Sequence, residues 1–230
     1  MSLNEKEAAN WTLEQKEAES LKLIRETLDR FGPDKVATTW TGGKDSTTLL
    51  HMLRQVGGGK VPVRVIKIDT GADFPEIYAF VDRLAKEWDL DLHVLRNEEA
   101  LRTIKVAGDP LQCCYQLKTV PLLNFIREQG LKAVFTAIRW DEQEARKDEQ
   151  YLSERKNPDH LRVQPILRFR EIDIWSYIRK HELPFCELYR RGYRSLDCAP
   201  CTGRGGASER GARSQNKEAA MQRLREMGYF

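Results

Sequence analysis

Apolar side chains recur along the chain with two periods, one helical and one typical of strands. Over residues 13–31 they fall on a single helical stripe among Glu, Lys and Arg, which predicts an amphipathic helix packed on a core. The stripe consists of Leu21, Ile24, Leu28 and Phe31. Gly32 and Pro33 end this helix.

Beyond that helix, β-prone runs alternate with helical patterns. The predicted strands are Val36–Trp40, Val63–Ile68, Leu92–Leu95 and Lys132–Ile138, and the predicted helices are Thr47–Val56, Pro75–Trp88 and Ile172–Ile178. Such alternation is typical of a parallel sheet with helices on both faces. From Cys198 a stretch rich in Gly, Arg and Ser leads to a last predicted helix, Lys217–Met227. The sequence therefore predicts a doubly wound α/β fold with a basic C-terminal tail.

Length and composition favour a single domain. The 230 residues, 40% of them hydrophobic, can bury one core, and the net charge of +3 argues neither for nor against nucleic acid binding. No apolar run approaches the roughly 20 residues that span a bilayer, and the N-terminus is too polar for a signal peptide. We therefore expect a cytoplasmic protein with no membrane partner. In that compartment five cysteines, an odd number, are poor disulfide material, and the close spacing within two pairs indicates metal or redox chemistry.

The loop Thr41–Ser46 is the strongest candidate for chemistry. It follows the first strand and opens a helix, so its glycine N–H groups and the helix dipole can hold a phosphate, to which Lys44 adds a charge. Its spacing matches neither the Walker A loop nor the G-x-G-x-x-G fingerprint. Asp69 and Thr70 end the second strand, and ligands of such sheets bind at the carboxyl ends of strands.

Four segments, taken in order, resemble one family. Residues 41–46 (TGGKDS) resemble the SGGxDS pyrophosphate loop, or PP-loop, of the adenine nucleotide α-hydrolase superfamily. Residues 69–76, 139–142 and 172–175 resemble later motifs of the phosphoadenosine phosphosulfate (PAPS) reductase family within it. The resemblance implies a Rossmann-like sheet of the adenine nucleotide α-hydrolase type. Members that act on ATP cleave it between the α and β phosphates and adenylylate an acceptor. The resemblance therefore implies this reaction as one candidate activity.

The resemblance also implies roles for individual residues. The β and γ phosphates of ATP would be held by the loop residues Thr41, Gly42, Gly43, Lys44 and Ser46. Asp45 would bind Mg²⁺, and Asp69 and Thr70 would lie near the adenosine. Arg139 would neutralise charge that develops on the α-phosphate. The expected catalytic set is therefore Lys44, Asp45 and Arg139.

Two cysteine pairs, Cys113-Cys114 and Cys198-x-x-Cys201, supply four thiolates. By count they suit tetrahedral zinc or a [4Fe–4S] cluster equally, but adjacent cysteines diverge from a single ion, which favours the cluster. The pattern, with Lys118 shortly after the first pair, also resembles the cluster site of adenylyl-sulfate (APS) reductases. We therefore expect a [4Fe–4S] cluster on these four cysteines and Lys118 near a substrate anion.

The C-terminal part resembles a second branch of the family. Residues 208–213 and the ending resemble the small subunit of sulfate adenylyltransferase. We expect residues 1–197 to form the nucleotide-binding domain, and residues 198–230 to complete the cluster site and cover the active site within the same structural unit. Three cations of this segment would bind the substrate: Arg204, Arg210 and Arg213.

Less specific interpretations stay open for some of these residues. Arg139 could be a surface residue paired with Asp141 or Glu142, and Glu142 and Glu144 could belong to a solvated face. The arginines of the C-terminal segment could equally form a solvated basic tail. Cys186 is expected to be a small buried hydrophobe rather than a ligand or nucleophile.

Three functions are compatible with the sequence. The leading hypothesis is an iron–sulfur ATP pyrophosphatase that adenylylates sulfate or a nucleic acid, as in DNA phosphorothioation, with a cysteine desulfurase or another sulfur-transfer protein as partner. The alternative is an APS or PAPS reductase that releases sulfite, for which Cys186 or a partner would supply the nucleophile, because no cysteine follows Cys201. The third is a cluster-bearing subunit without catalytic activity. Homo-oligomers are compatible with all three.

Overall fold

A computed structural model describes residues 10–228, and the strands of this part form one sheet. They are β1 (Val36–Thr39), β2 (Arg64–Ile68), β3 (Leu92–Leu95), β4 (Ala133–Phe135), β5 (Leu152–Arg155) and β6 (His160–Val163). Their order across the sheet is β3-β2-β1-β4-β6-β5. All neighbours are parallel except β5 and β6, which are antiparallel. The predicted parallel α/β sheet is confirmed.

The described helices include the five that the sequence predicts, together with three between β3 and β4 that it does not predict. They are α1 (Leu13–Phe31), α2 (Lys44–Val56), α3 (Pro75–Glu87), α4 (Glu98–Thr103), α5 (Pro110–Cys114), α6 (Val120–Gln129), α7 (Glu171–Lys180) and α8 (Gln215–Glu226). A π-helical segment, Tyr115–Thr119, joins α5 to α6. A capping box between Thr12 and Gln15 begins α1.

Helices cover both faces of the sheet. Successive residues of a strand point to opposite faces. On one face Val36 packs in the same apolar cluster as residues of α1, α2 and α7. On the other face Ala37 and Val134 pack against the α6 residues Leu122 and Ile126. This layering makes the fold doubly wound.

The strand order reverses between β1 and β4. From β1 the chain adds β2 and then β3 on one side, whereas β4 and β6 extend the sheet on the other side. The connections that leave the carboxyl ends of β1 and β4 therefore separate, and a crevice opens between them. The loop 41–43 and the segment 136–139 begin at these two strand ends.

The strands and the start of α2 also depart from the expected elements. The hairpin of β5 and β6 was not predicted, because LSER has a single apolar residue and the alternation in HLRV covers only four residues. The strand predicted at 132–138 ends at Phe135, and the chain then leaves the sheet towards Arg139. Helix α2 begins at Lys44 rather than Thr47, because Gly43 is its N-cap.

The C-terminal segment packs on the rest of the molecule. In α8, Met221 and Leu224 are buried in one cluster with Cys114 and Trp140. The predictions for the first nine and last two residues lie outside the described residues. Among the described helices, none combines the length and the apolar character that crossing a membrane requires.

The turn from β1 into α2 lies directly against α3. Gly42 has φ +78°, and a Cβ placed there would lie 3.0 Å from Val81 Cγ2 and 3.2 Å from Ile77 Cγ2. Both the left-handed backbone and the close approach of α3 therefore require glycine. Gly58 has a similar φ of +65°, but no atom lies within 4 Å of a Cβ placed there.

We predict that Gly42→Ala destabilises the protein by about 3 kcal/mol, because it adds backbone strain and a clash with α3. Gly58→Ala should cost only about 1 kcal/mol, since it adds the strain alone. Urea unfolding followed by circular dichroism measures both. Equal losses for the two variants would show that the contact with α3 is not close.

Candidate functional site

The loop between β1 and α2 is held closed by its own hydroxyl groups. The N–H of Gly43 donates to Thr41 Oγ1 over 3.2 Å. Ser46 Oγ accepts from the N–H of Thr41 at 3.2 Å and donates to the carbonyl of Gly43 at 3.1 Å. These bonds fix the first turn of α2 at the edge of the crevice.

A tyrosine from a distant segment lies over the start of α2. The N–H of Lys44 donates to Tyr189 Oη over 2.9 Å. The Tyr189 ring packs edge-on against Trp175 with 5.3 Å between centroids, and burial raises the pKa of its hydroxyl. Sequence reasoning did not connect Tyr189 with the loop, because only the tertiary fold brings them together. The hydroxyl oxygen takes the position at a helix N-terminus where an anion can bind.

Lys44 and Arg139 share a set of carboxylates. The Lys44 ammonium group contacts Glu209 and lies 3.1 Å from Asp45 Oδ2. The Arg139 guanidinium contacts Asp45 and Glu209, and its Nε lies 2.9 Å from Asp141 Oδ1. Lys44 is 1% exposed and Arg139 is 0% exposed. The three predicted catalytic residues therefore belong to one buried ion cluster.

This burial corrects the less specific interpretation of Arg139. Arg139 does pair with Asp141, but it does not lie on the surface. Burial disfavours its charge, yet Glu209 and Asp141 together hold the pKa of the guanidinium above its usual value. Burial raises the pKa of the Asp141 carboxyl.

Glu209 is the residue of this cluster that sequence reasoning missed. It lies between Cys201 and α8 and reaches both Lys44 and Arg139. The signal was the resemblance of residues 208–213, from which only the arginines were singled out. The carboxylate of Glu209 forms ion pairs with Lys44 and Arg139, the two cations that were predicted to bind phosphate.

A cavity of about 210 Å³ opens beside the cluster. Its wall includes the predicted residues Thr41, Gly43, Asp45, Ser46, Thr70, Lys118, Arg210 and Arg213. Further lining residues come from β2, from the segment after β4 and from β6. Arg204, in contrast, is exposed and lies outside this lining.

Asp69 and Thr70 lie at the end of β2 in different environments. Burial alone would raise the pKa of the Asp69 carboxyl, but hydrogen bonds from Tyr78 Oη at 2.6 Å and the Gly71 N–H at 2.8 Å hold it below its usual value. Thr70 Oγ1 lies 3.1 Å from Cys198 Sγ. Because Thr70 lines the cavity and Cys198 does not, this contact places Cys198 directly behind the lining.

The four cysteines of the two pairs are buried free thiols in one region. The hydrogen bond to Cys114 raises the pKa of Cys113, and burial raises the pKa of Cys201. Charge on Cys114 or Cys198 adds to both shifts, so the thiols lie within electrostatic reach of one another. A hydrogen bond from Cys113 lowers the pKa of Cys114 to about 6, and nearby Lys217 adds to this effect.

This donor set fits an iron–sulfur cluster in kind and in number. It does not form a coordination sphere, because no three His, Cys, Asp or Glu side chains in residues 10–228 are arranged to hold a metal ion.

Asp197 connects the thiol region to the cavity. It accepts from Lys118 and Lys217, and Arg213 Nη1 lies 2.8 Å from its Oδ2. Burial alone would raise the pKa of the Asp197 carboxyl, but these three cations hold it well below its usual range. Lys118 and Arg213 therefore lie beside the cavity, where the sequence predicts them, but each is bound to a carboxylate.

Two of the three C-terminal cations, Arg210 and Arg213, are mostly buried, and Glu142 is mostly buried as well. Arg210 lies 2.8 Å from Glu142 Oε1 and 2.7 Å from Glu218 Oε1. Glu142 also pairs with Arg146 and is largely buried, so the prediction that it lies on a solvated face is wrong. Glu144 is exposed, as that prediction requires. Two of the three substrate-binding candidates, Arg210 and Arg213, are thus part of the packed structure.

Three comparisons with known proteins agree on the family. The family model for the phosphoadenosine phosphosulfate reductase domain matches residues 35–204. The chain is 29% identical over 197 residues to sulfate adenylyltransferase subunit 2 of Streptomyces lavendulae, a match that covers 75% of this chain and 61% of that protein. The chain thus spans less than two thirds of the length of that relative.

Two further relatives represent both branches. Sulfate adenylyltransferase subunit 2 of Zymomonas mobilis is 32% identical over 210 residues, with 80% of this chain and 69% of that protein covered. Adenosine 5'-phosphosulfate reductase of Salinibacter ruber is 30% identical over 179 residues, with 75% and 69% covered.

Solved structures show the same fold. The PAPS reductase of Candida auris, in a phosphate complex, superposes with a TM-score of 0.67 at 21% identity and covers 84% of this chain and 98% of that chain. The FMN adenylyltransferase of Candida glabrata, in complex with FMN and the ATP analogue AMPCPP, gives a TM-score of 0.66 at 21% identity, with 84% and 65% covered. The family model matches well over half of the chain, and we conclude that the chain belongs to the phosphoadenosine phosphosulfate reductase domain family.

Proposed function

We propose that the protein binds ATP at the loop between β1 and α2, cleaves it between the α and β phosphates, and transfers the adenylyl group to an acceptor in sulfur metabolism. The observation that carries this proposal is the buried pairing of Lys44 and Arg139 around Asp45 and Glu209 at the switch point of the sheet. Two cations that meet at a helix N-terminus suit a polyphosphate.

The step follows from the positions of these groups. An acceptor oxygen attacks the α-phosphorus, the bond from that phosphorus to the bridging oxygen breaks, and pyrophosphate leaves with the electron pair of that bond. Lys44 and the loop N–H groups would stabilise the charge on pyrophosphate, and Arg139 the charge on the α-phosphate. Asp45 is the residue that would hold the Mg²⁺ accompanying ATP, which shields the phosphate charge.

Glu209 would compete with ATP for this site. In the structure its carboxylate contacts both Lys44 and Arg139, and Tyr189 Oη accepts from the N–H of Lys44. On this proposal, a triphosphate that binds the same groups displaces the carboxylate of Glu209.

The relatives support an activity of this class. Those that match over most of this chain are named sulfate adenylyltransferase subunit 2 and adenosine 5'-phosphosulfate reductase. Among the solved structures of this fold is an FMN adenylyltransferase in complex with an ATP analogue. The acceptor is proposed to be sulfate or a nucleic acid, with a sulfur-transfer protein such as a cysteine desulfurase as partner in the latter case.

We propose further that Cys113, Cys114, Cys198 and Cys201 hold a [4Fe–4S] cluster. The support is that all four are buried, free and in one region, beside the cations of Lys118 and Lys217. Such a cluster would supply a fixed inorganic charge or a redox centre next to the cavity. On this proposal, the segment after residue 197 completes the cluster site and covers the active site.

A sulfonucleotide reductase is the second candidate, because one of the relatives carries that name. It requires a thiol nucleophile that reaches the substrate. Cys186 is 1% exposed, packs among apolar side chains that include Trp40 and Leu50, and does not line the cavity. Burial also raises the pKa of its thiol, which disfavours the nucleophilic thiolate. The position of Cys186 therefore favours ATP cleavage over reduction.

Replacing Lys44 tests the proposed activity. In Lys44→Met, release of pyrophosphate from ATP should fall by about 100-fold or more, because a charge that faces the leaving group is lost. An enzyme-coupled pyrophosphate assay with sulfate or an oligonucleotide as acceptor measures it. The control Lys60→Met removes an exposed lysine and should keep full activity. Equal activity of Lys44→Met and the control would refute the assigned role.

Neutralising Glu209 tests its displacement by ATP. In Glu209→Gln the affinity for AMPCPP should rise several-fold, because the phosphates no longer compete with a carboxylate for Lys44 and Arg139. Isothermal titration calorimetry measures the change, and Glu144→Gln, which alters an exposed carboxylate, is the control. A weaker affinity would instead indicate that Glu209 helps to bind the nucleotide.

Serine variants test the cluster. After anaerobic reconstitution, wild-type protein should contain about four iron and four sulfide per chain, and Cys198→Ser and Cys201→Ser should lose most of both. Cys186→Ser should keep them, because Cys186 is equally buried but lies in a different apolar cluster. Quantitation of iron and acid-labile sulfide decides the question. Wild-type protein that takes up neither would contradict the proposed cluster.

A further inference from the structure

The hydroxyl group of Tyr189 contacts the first N–H of α2 and keeps one hydrogen bond unused. Its oxygen accepts from the Lys44 N–H over 2.9 Å, and Tyr189 lines the cavity beside the loop. A phenol can accept one hydrogen bond and donate its own proton at the same time. Within residues 10–228 no group accepts that proton. Tyr189 therefore presents an unused donor at the cavity.

Two further hydroxyl groups lie around the same point of the loop. A Cβ placed on Gly43 would lie 3.4 Å from Tyr189 Oη. The same Cβ would lie 3.2 Å from Thr41 Oγ1 and 4.0 Å from Ser46 Oγ. The hydroxyl groups of Thr41 and Ser46 bond to Gly43 and to each other. Tyr189 thus brings to the loop, from a distant segment, a hydroxyl proton that the loop itself does not use.

Packing holds the Tyr189 ring in this position. Besides its edge-on contact with Trp175, the ring packs against Phe185 with 6.5 Å between centroids. The Lys44 ammonium group lies 5.6 Å from the centroid of the Tyr189 ring. Five residues further along, the carbonyl of Arg194 accepts from Lys44 Nζ over 3.1 Å. Both ends of this short segment therefore contact Lys44, so that a ligand at the loop meets the hydroxyl group as part of a fixed wall.

The electrostatics of this position favour an anionic acceptor for the hydroxyl proton. The Lys44 N–H lies at the positive end of the α2 dipole. Accepting from that N–H polarises the hydroxyl group and strengthens it as a donor. Burial raises the pKa of Tyr189, so the group stays protonated at neutral pH. A phosphate oxygen is an acceptor that suits such a donor.

We propose that Tyr189 is a specificity-determining residue, whose hydroxyl group donates to the phosphates beyond the α-phosphate of a nucleotide bound at the loop. The Lys44 N–H then acts on these phosphates through the hydroxyl group. This inference rests on the proposed function and deepens it, because it names a group that selects the substrate. A nucleoside monophosphate has no phosphate at that position, so Tyr189 favours triphosphates over monophosphates.

The test is Tyr189→Phe, which removes the hydroxyl group and keeps the ring and its contacts. Isothermal titration calorimetry of the full chain should show an affinity for AMPCPP that is about 10-fold lower or less, because a hydrogen bond to a charged acceptor is lost. The affinity for pyrophosphate should fall by a similar factor. The affinity for AMP, measured by competition, should stay within about twofold of wild type, since AMP does not reach the hydroxyl group.

Tyr193→Phe is the matched control. Tyr193 is a half-buried tyrosine of the same segment, packs edge-on against Phe74 with 5.3 Å between centroids, and does not line the cavity. This variant should bind AMPCPP, pyrophosphate and AMP as wild type does. Equal losses of AMP and AMPCPP affinity in Tyr189→Phe would indicate a structural role and overturn the inference.

Two other results would also overturn it. Unchanged AMPCPP affinity in Tyr189→Phe would show that the hydroxyl group does not reach the phosphates, and the proposed function would stand without it. Higher affinity would show that the hydroxyl group blocks the Lys44 N–H instead of extending it.

The pyrophosphate arm separates this inference from the proposed function. Failure of wild type to bind AMPCPP would refute the proposed function. Pyrophosphate binding that depends on Tyr189 would then still support the inference. Pyrophosphate binding that is equal in wild type and Tyr189→Phe, or absent from both, would overturn it.

Discussion

The pairing of Glu209 with both Lys44 and Arg139 is the interaction on which the arrangement of the site depends. It joins the loop after β1, the segment after β4 and the segment before α8 in a buried region. Removing one partner of such a buried pair leaves an uncompensated charge and costs about 3–5 kcal/mol. The segment before α8 is therefore held against the two strand ends by these ion pairs.

A second buried carboxylate, that of Asp197, also forms ion pairs with several cations. Its partners are Lys118, Arg213 and Lys217, which come from separate parts of the chain. Asp197 directly precedes Cys198, and Glu209 lies between Cys201 and α8, so one segment carries both carboxylates. The same segment therefore contacts both the loop after β1 and the region of the four thiols.

Charge pairing also distinguishes Arg162, a buried cation of β6 that lines the cavity. Most charges near the cavity are paired inside the protein, which stabilises the fold but leaves little to attract a ligand. At Lys44 and Arg139 the internal carboxylates are those of Asp45 and Glu209. Among the described residues no carboxylate contacts Arg162, although Glu149 lies within electrostatic reach of it.

The α/β class, the candidate loop and the family could be predicted from the sequence, because each depends on local information. Hydrophobic periodicity predicts β1 to β4 and five of the eight described helices, and the pattern of Thr41–Ser46 needs no distant partner to be recognised. Which charges are buried, and what neutralises them, depends on the tertiary fold. Glu209, Tyr189 and Arg162 are ordinary residues in the sequence, and their importance comes from contacts with segments far away along the chain. The hairpin of β5 and β6 was missed for the same reason. Its strands belong to the sheet because β6 pairs with β4, which lies far away along the chain, and because β5 pairs with β6.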